Sequence, residues 1–91
     1  VKDMIIRGGE NLFPAEIENV LLEHPSVAEV AVVGMPDEKW GEIVAAFVRP
    51  APGVAFDRAA LVAHCRAHLA PQKTPARWIE VAEWPLTGSG K

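Results

Sequence analysis

Apolar residues fall along this chain in short clusters whose spacing changes from segment to segment. Met4, Ile5 and Ile6 predict a short strand ended by Gly8-Gly9, where positive φ carries no steric penalty. Pro14 suits the first turn of a helix, Glu16 and Glu18 favour its positive end, and Ile17, Val20 and Leu21 form its apolar stripe. Pro25 stops that helix. Residues 27–33 and 43–48 are β-branched, nearly all-apolar runs that predict two strands, separated by the turn-prone Gly34-Met-Pro-Asp37. After the loop Pro50-Ala-Pro-Gly53, Asp57 predicts an N-cap, with Phe56 and Leu61 spaced as a hydrophobic staple. Leu61, Cys65 and Leu69 share one face of the helix that follows, and Arg66 and His68 sit near its negative end. Residues 71–75 form a break, residues 78–81 alternate as a third strand, and a tail follows. The pattern predicts an α+β domain: a small three-stranded sheet packed with helices and preceded by a short strand.

A chain of 91 residues makes one domain, which buries about 60% of its unfolded surface. An apolar content of 49% excludes disorder, and a net charge of -3 gives nucleic acid no electrostatic footing. Every apolar run is interrupted within a few residues, so no membrane span is expected. No basic stretch followed by an apolar one marks a signal peptide. Cys65 stands alone, which rules out an internal disulfide and fits a reducing compartment, read here as cytoplasmic. The chain opens without Met in mid-pattern and closes on a lysine that its last loop is built to present. It reads as a piece of a larger protein.

That closing segment, Pro85-Leu-Thr-Gly-Ser-Gly-Lys91, delivers one ammonium group on a flexible Gly/Ser approach, which suits chemistry on an anion. It is not a phosphate-binding P-loop. That motif needs a glycine where Pro85 stands and a Ser or Thr after the lysine. His64 and His68 lie one helical turn apart, as metal ligands can, but no Glu or Cys accompanies them in an H-E-x-x-H arrangement. They are read as helix-surface residues, His24 as a helix-end residue and Cys65 as core rather than nucleophile. No metal site is expected.

Two end segments carry a resemblance to a known family. Asp3-Met-Ile-Ile-Arg-Gly-Gly-Glu-Asn-Leu-Phe-Pro-Ala-Glu-Ile-Glu18 resembles the eighth conserved motif of the adenylate-forming enzymes, and Pro85-Leu-Thr-Gly-Ser-Gly-Lys91 resembles their tenth. The family includes acyl-CoA synthetases, peptide-synthetase adenylation domains and luciferases. Pro36-Asp-Glu-Lys-Trp-Gly-Glu42, Ala46-Phe-Val48 and Lys73-Thr-Pro75 fall at its usual intervals. The resemblance covers essentially all of residues 1–91 and corresponds to the small, mobile C-terminal domain. The large N-terminal adenylation domain, with most of the ATP and acid site, lies outside this sequence.

The resemblance implies an ATP-dependent, AMP-forming acid–thiol ligase, most like an acyl-CoA or fatty-acid–CoA ligase. A carboxylate first attacks the α-phosphate of ATP; the C-terminal domain then rotates, and a thiol, usually that of CoA, displaces AMP. Lys91 takes the position of the catalytic lysine of the first step. Gly8 and Gly9 fall on the loop that borders the pantetheine tunnel in the second, Lys2 falls on the hinge, and Trp40 matches a CoA-contacting position. Lys73, Arg77, Arg49 and Arg7 are candidate partners for CoA phosphates. The chain departs from some relatives at Gln72, where they carry an aromatic, and at Thr74 and Ala76, where they carry basic residues. ATP with Mg2+ and CoA are the implied cofactors of the full-length enzyme, none bound tightly by this domain alone, which is expected to be inactive in isolation. Its implied partners are its own N-terminal domain, a carboxylic acid and CoA. Two other readings stay open: an adenylation domain that loads a carrier protein's phosphopantetheine, and a non-catalytic binding module.

Overall fold

The computed structural model describes residues 4–82. A short hairpin comes first, β1 (Ile5–Arg7) and β2 (Glu10–Leu12), joined by Gly8 and Gly9 and paired antiparallel with Arg7 opposite Glu10. Helix α1 (Pro14–Leu22) follows. Its first residue is a proline, whose missing N–H costs no helix bond there; Phe13 at the N-cap has no side-chain acceptor, and its carbonyl takes the Glu16 N–H at 3.1 Å. Strands β3 (Val27–Asp37) and β4 (Gly41–Pro50) form a long antiparallel hairpin. Helix α2 (Arg58–His68) is capped by Asp57, whose side chain accepts from the Ala60 backbone N–H at 3.1 Å. A single 3-10 turn (Pro71–Lys73) leads into β5 (Arg77–Glu80), which runs parallel to β4.

The three-stranded sheet has the order β3-β4-β5, with β4 central. On one face, Val30, Val32, Val44, Ala46 and Val48 join Ile5, Leu12, Ile17, Leu21, Leu61 and Cys65 in a single core. The expected α+β architecture is present, with the first strand forming a separate two-stranded sheet. Two contacts fix α1 in this layer. Glu18 Oε2 accepts from the Val32 N–H at 2.9 Å, occupying a donor on the edge strand β3. His64 Nε2 on α2 donates to the Val20 carbonyl at 2.8 Å. His64 is thus half-buried between the helices, not a surface residue.

The structure moves one turn. Gly34-Met-Pro-Asp37, expected as the connection between strands, lies within β3, and the chain reverses at residues 38–40. Pro36 fits because β3 is an edge strand with a partner on one side only, where a missing N–H leaves no ladder bond unmade. Asp37 makes the later reversal, accepting from the backbone N–H groups of Lys39 (3.0 Å) and Trp40 (2.9 Å). That shift decides where Trp40 sits.

Candidate functional site

Both hairpin turns end at the same place. Gly8 and Gly9 have φ of 57° and 82°, a pair of left-handed residues in a two-residue loop whose twist matches that of the flanking strands. The Gly8 N–H donates to the Trp40 carbonyl at 2.8 Å, joining the first turn to the second. Just behind the tip, the Ile6 N–H donates to Glu42 Oε1 at 2.8 Å. A Cβ on Gly8 would stand 2.8 Å from Cε3 of the Trp40 ring, whereas a Cβ on Gly9 would meet nothing within 4 Å. Gly8 therefore lies against the indole, and Gly9 is the open outer corner of the loop.

Charge gathers around that ring. The Arg7 guanidinium carbon lies 4.1 Å from the Trp40 ring centroid, and Lys39 Nζ lies 5.1 Å from it. Both distances are within the reach of a cation–π interaction. Trp40 itself remains 36% exposed. The arrangement presents side-chain-free backbone, a partly exposed aromatic surface and two cations to solvent. Such a surface can let a narrow ligand pass close to the main chain and offers an anionic group two cations at its rim, beside the Asp37 and Glu42 carboxylates that hold the same turns.

Of the residues singled out by sequence, Gly8, Gly9, Trp40 and Arg7 come together here. Arg49 and Lys73 do not join them. Arg49 Nε bonds Glu29 Oε1 at 2.8 Å, a hydrogen bond that raises the guanidinium pKa, and Lys73 Nζ bonds both carboxylate oxygens of Glu16 at 3.0 and 3.2 Å. Arg77 is exposed on β5. Lys2 and Lys91 lie outside the described residues. Sequence reading overlooked Lys39, although its place beside Trp40 was a usable signal. It also overlooked the pairing of Gln72 Nε2 with Glu10 Oε2 at 3.0 Å, across 62 positions, which no local signal announces.

The remaining nucleophilic and metal-binding candidates have other roles. Cys65 is fully buried, and desolvation pushes its thiol pKa from 9.0 up to about 11, so it stays a neutral core group at physiological pH. His24 stacks edge-on against His64 at 5.2 Å and accepts from Ser26 through Nδ1. His68, with its ring 4.5 Å from that of His64, donates to the His64 carbonyl. Among the described residues, no group of three or more His, Cys, Asp and Glu is arranged to hold a metal ion, and no helix is long and apolar enough to cross a membrane.

Comparison with known proteins places this geometry in context. Residues 16–91 match the family described as AMP-binding enzyme C-terminal domain. The chain is 51% identical over 89 residues to a 2-succinylbenzoate–CoA ligase of Geobacillus kaustophilus, covering 98% of this chain and 18% of the relative. It is 50% identical over 91 residues to a fatty acid–[acyl-carrier-protein] ligase of Streptomyces coeruleorubidus, covering 100% and 18%. Among solved structures, an acyl-CoA synthetase of Brucella canis superposes with a TM-score of 0.87 at 41% identity, over 99% of this chain and 17% of that one. The chain thus spans less than a fifth of the length of these relatives.

Proposed function

The chain belongs to the AMP-binding enzyme C-terminal domain family, and we propose that residues 1–91 serve as the mobile C-terminal domain of an ATP-dependent, AMP-forming acyl-CoA ligase. Activity then belongs to the full-length enzyme, and the isolated domain is inactive because the phosphate- and acid-binding parts lie in the N-terminal domain. In the first step a carboxylate oxygen attacks the α-phosphate of ATP and pyrophosphate leaves. Lys91 would stabilise the negative charge that builds on the attacking and phosphoryl oxygens. Mg2+ would accompany ATP, and no residue of this chain is assigned to it. In the second step the domain rotates about Lys2, the thiol sulfur attacks the acyl carbon, and AMP departs as the thiol proton is lost.

The observation that carries the second step is the packing of the Gly8 main chain on Trp40, with Arg7 and Lys39 at the ring. A pantetheine arm is thin, extended and uncharged for most of its length, and its nucleotide end is anionic. Bare backbone suits the arm, and the rim cations suit the anionic end. Gly9→Leu in the full-length enzyme tests this. Because a Cβ on Gly9 meets nothing within 4 Å, the added side chain strikes no core residue and would project into the proposed passage, at the backbone cost of a side chain at φ 82°. Thioester formation should fall by about 100-fold, while pyrophosphate release in the first half-reaction holds at the parent rate. Equal rates of thioester formation in variant and parent would remove the tunnel from this reading.

A second acceptor remains in view for a specific reason. The 50%-identical Streptomyces relative is a fatty acid–[acyl-carrier-protein] ligase. A carrier protein presents the same pantetheine arm without the free nucleotide, so the glycine passage would serve either acceptor. The two diverge at the rim. Replacing Arg7 and Lys39 should weaken the use of CoA more than that of free pantetheine.

A further inference from the structure

The turn that borders the proposed thiol passage is anchored on both flanks. On its first side the Gly8 N–H holds the Trp40 carbonyl. On its second side Glu10, the residue after Gly9, accepts from Gln72 Nε2 at 3.0 Å. One residue further along, Lys73 Nζ grips both oxygens of Glu16, in the first turn of α1. Gln72 and Lys73 are consecutive residues of the 3-10 turn, and the Lys73 and Thr74 N–H groups close that turn on the carbonyls of Ala70 and Pro71. One short, internally bonded turn therefore reaches both the glycine loop and the start of the helix that follows it.

From this geometry we infer that Gln72 and Lys73 are positioning residues for the thiol-transfer step: they hold the Gly8–Gly9 turn in place through Glu10 and Glu16. The inference rests on the tunnel reading above. It also gives Lys73 a different role from direct contact with a CoA phosphate, because its ammonium already has a bidentate carboxylate partner. Exposed ion pairs add little to global stability, and side-chain exposure here is 25% for Lys73 and 45% for Glu16. Any loss on breaking the clamp should therefore appear in placement of the loop rather than in folding. Small misplacements of a substrate-positioning element cost rate steeply.

The test uses the full-length ligase and measures two half-reactions: pyrophosphate release with ATP and acid, and thioester formation from preformed acyl-adenylate with CoA or free pantetheine. Gln72→Leu with Lys73→Glu should lower kcat/KM for both thiols by about tenfold and leave pyrophosphate release and the unfolding midpoint unchanged. Lys73→Glu alone should be partly defective, and the exchange Glu16→Lys with Lys73→Glu should restore activity by remaking the pair in reverse. Loss with CoA only, unrescued by the exchange, would overturn the inference in favour of a direct phosphate contact. Thiol kinetics unchanged in the double variant would overturn it as well, provided Gly9→Leu still blocks thioester formation. If Gly9→Leu is also silent, the tunnel reading itself has failed.

Discussion

Gly8 and Gly9 are adjacent and share a left-handed backbone, yet the structure demands glycine at each for different reasons. At Gly9 only φ constrains the residue, and an L side chain there costs about 1–2 kcal/mol. At Gly8 the same conformational cost is joined by a collision with the Trp40 ring at 2.8 Å. The Arg7 and Lys39 cations lie over the same ring, 4.1 and 5.1 Å from its centroid. Gly8→Ala should therefore destabilise the protein by more than Gly9→Ala, with a difference of about 1 kcal/mol or above from the displaced indole. Urea unfolding followed by tryptophan fluorescence would measure both. Equal midpoints would mean that Trp40 moves aside freely and that the close contact carries no energy. The contact was not legible in the sequence, because its members stand 32 positions apart. What was legible was the need for glycine itself.

Among the elements, the reversal between β3 and β4 depends on one side chain. Asp37 gathers the N–H groups of Lys39 and Trp40, and Gly41 closes the turn at φ 83°. Asp37→Ala should cost about 1–2 kcal/mol, by analogy with loss of a capping acceptor. It should also quench the Gly8–Trp40 contact, because Trp40 loses its backbone anchor. Thermal unfolding and the amide resonance of Gly8 would report the two effects separately. An unchanged Gly8 resonance would show that the two turns are positioned independently. Reading the sequence placed this turn four residues too early because Gly34, Pro36 and Asp37 have turn composition, and composition does not report which strand lies at a sheet edge. The helices were better marked: Pro14 and Asp57 each begin one for a local reason, a dispensable donor and a side-chain cap. Strand β2 was missed because its three residues, Glu10–Leu12, bury only Leu12. Its one signal was the Gly-Gly pair before it, a hairpin turn as well as a strand end.

At the scale of the whole molecule, the two ends of the chain carry the proposed division of labour. Lys91→Ala in the full-length enzyme should slow pyrophosphate release by about 100-fold or more, the usual cost of removing a charge that acts in the transition state. Thioester formation from supplied acyl-adenylate should be largely spared, because the proposed rotation would carry that lysine away. Lys2→Pro should do the reverse. Proline fixes φ near -65°, so a pivot that must change its backbone angle can no longer do so, and the enzyme stays in its adenylating pose. Lys2→Ala separates that effect from mere loss of charge: it leaves the backbone free and should behave like the parent. The glycine turn, its Trp40 support and its Gln72–Lys73 clamp all lie within residues that Lys2→Pro leaves untouched. A defect confined to thioester formation would then come from rotation, not from a damaged passage. Single-turnover measurement of each half-reaction decides the matter, and a Lys2→Pro enzyme that forms thioester at the parent rate would exclude Lys2 as the pivot.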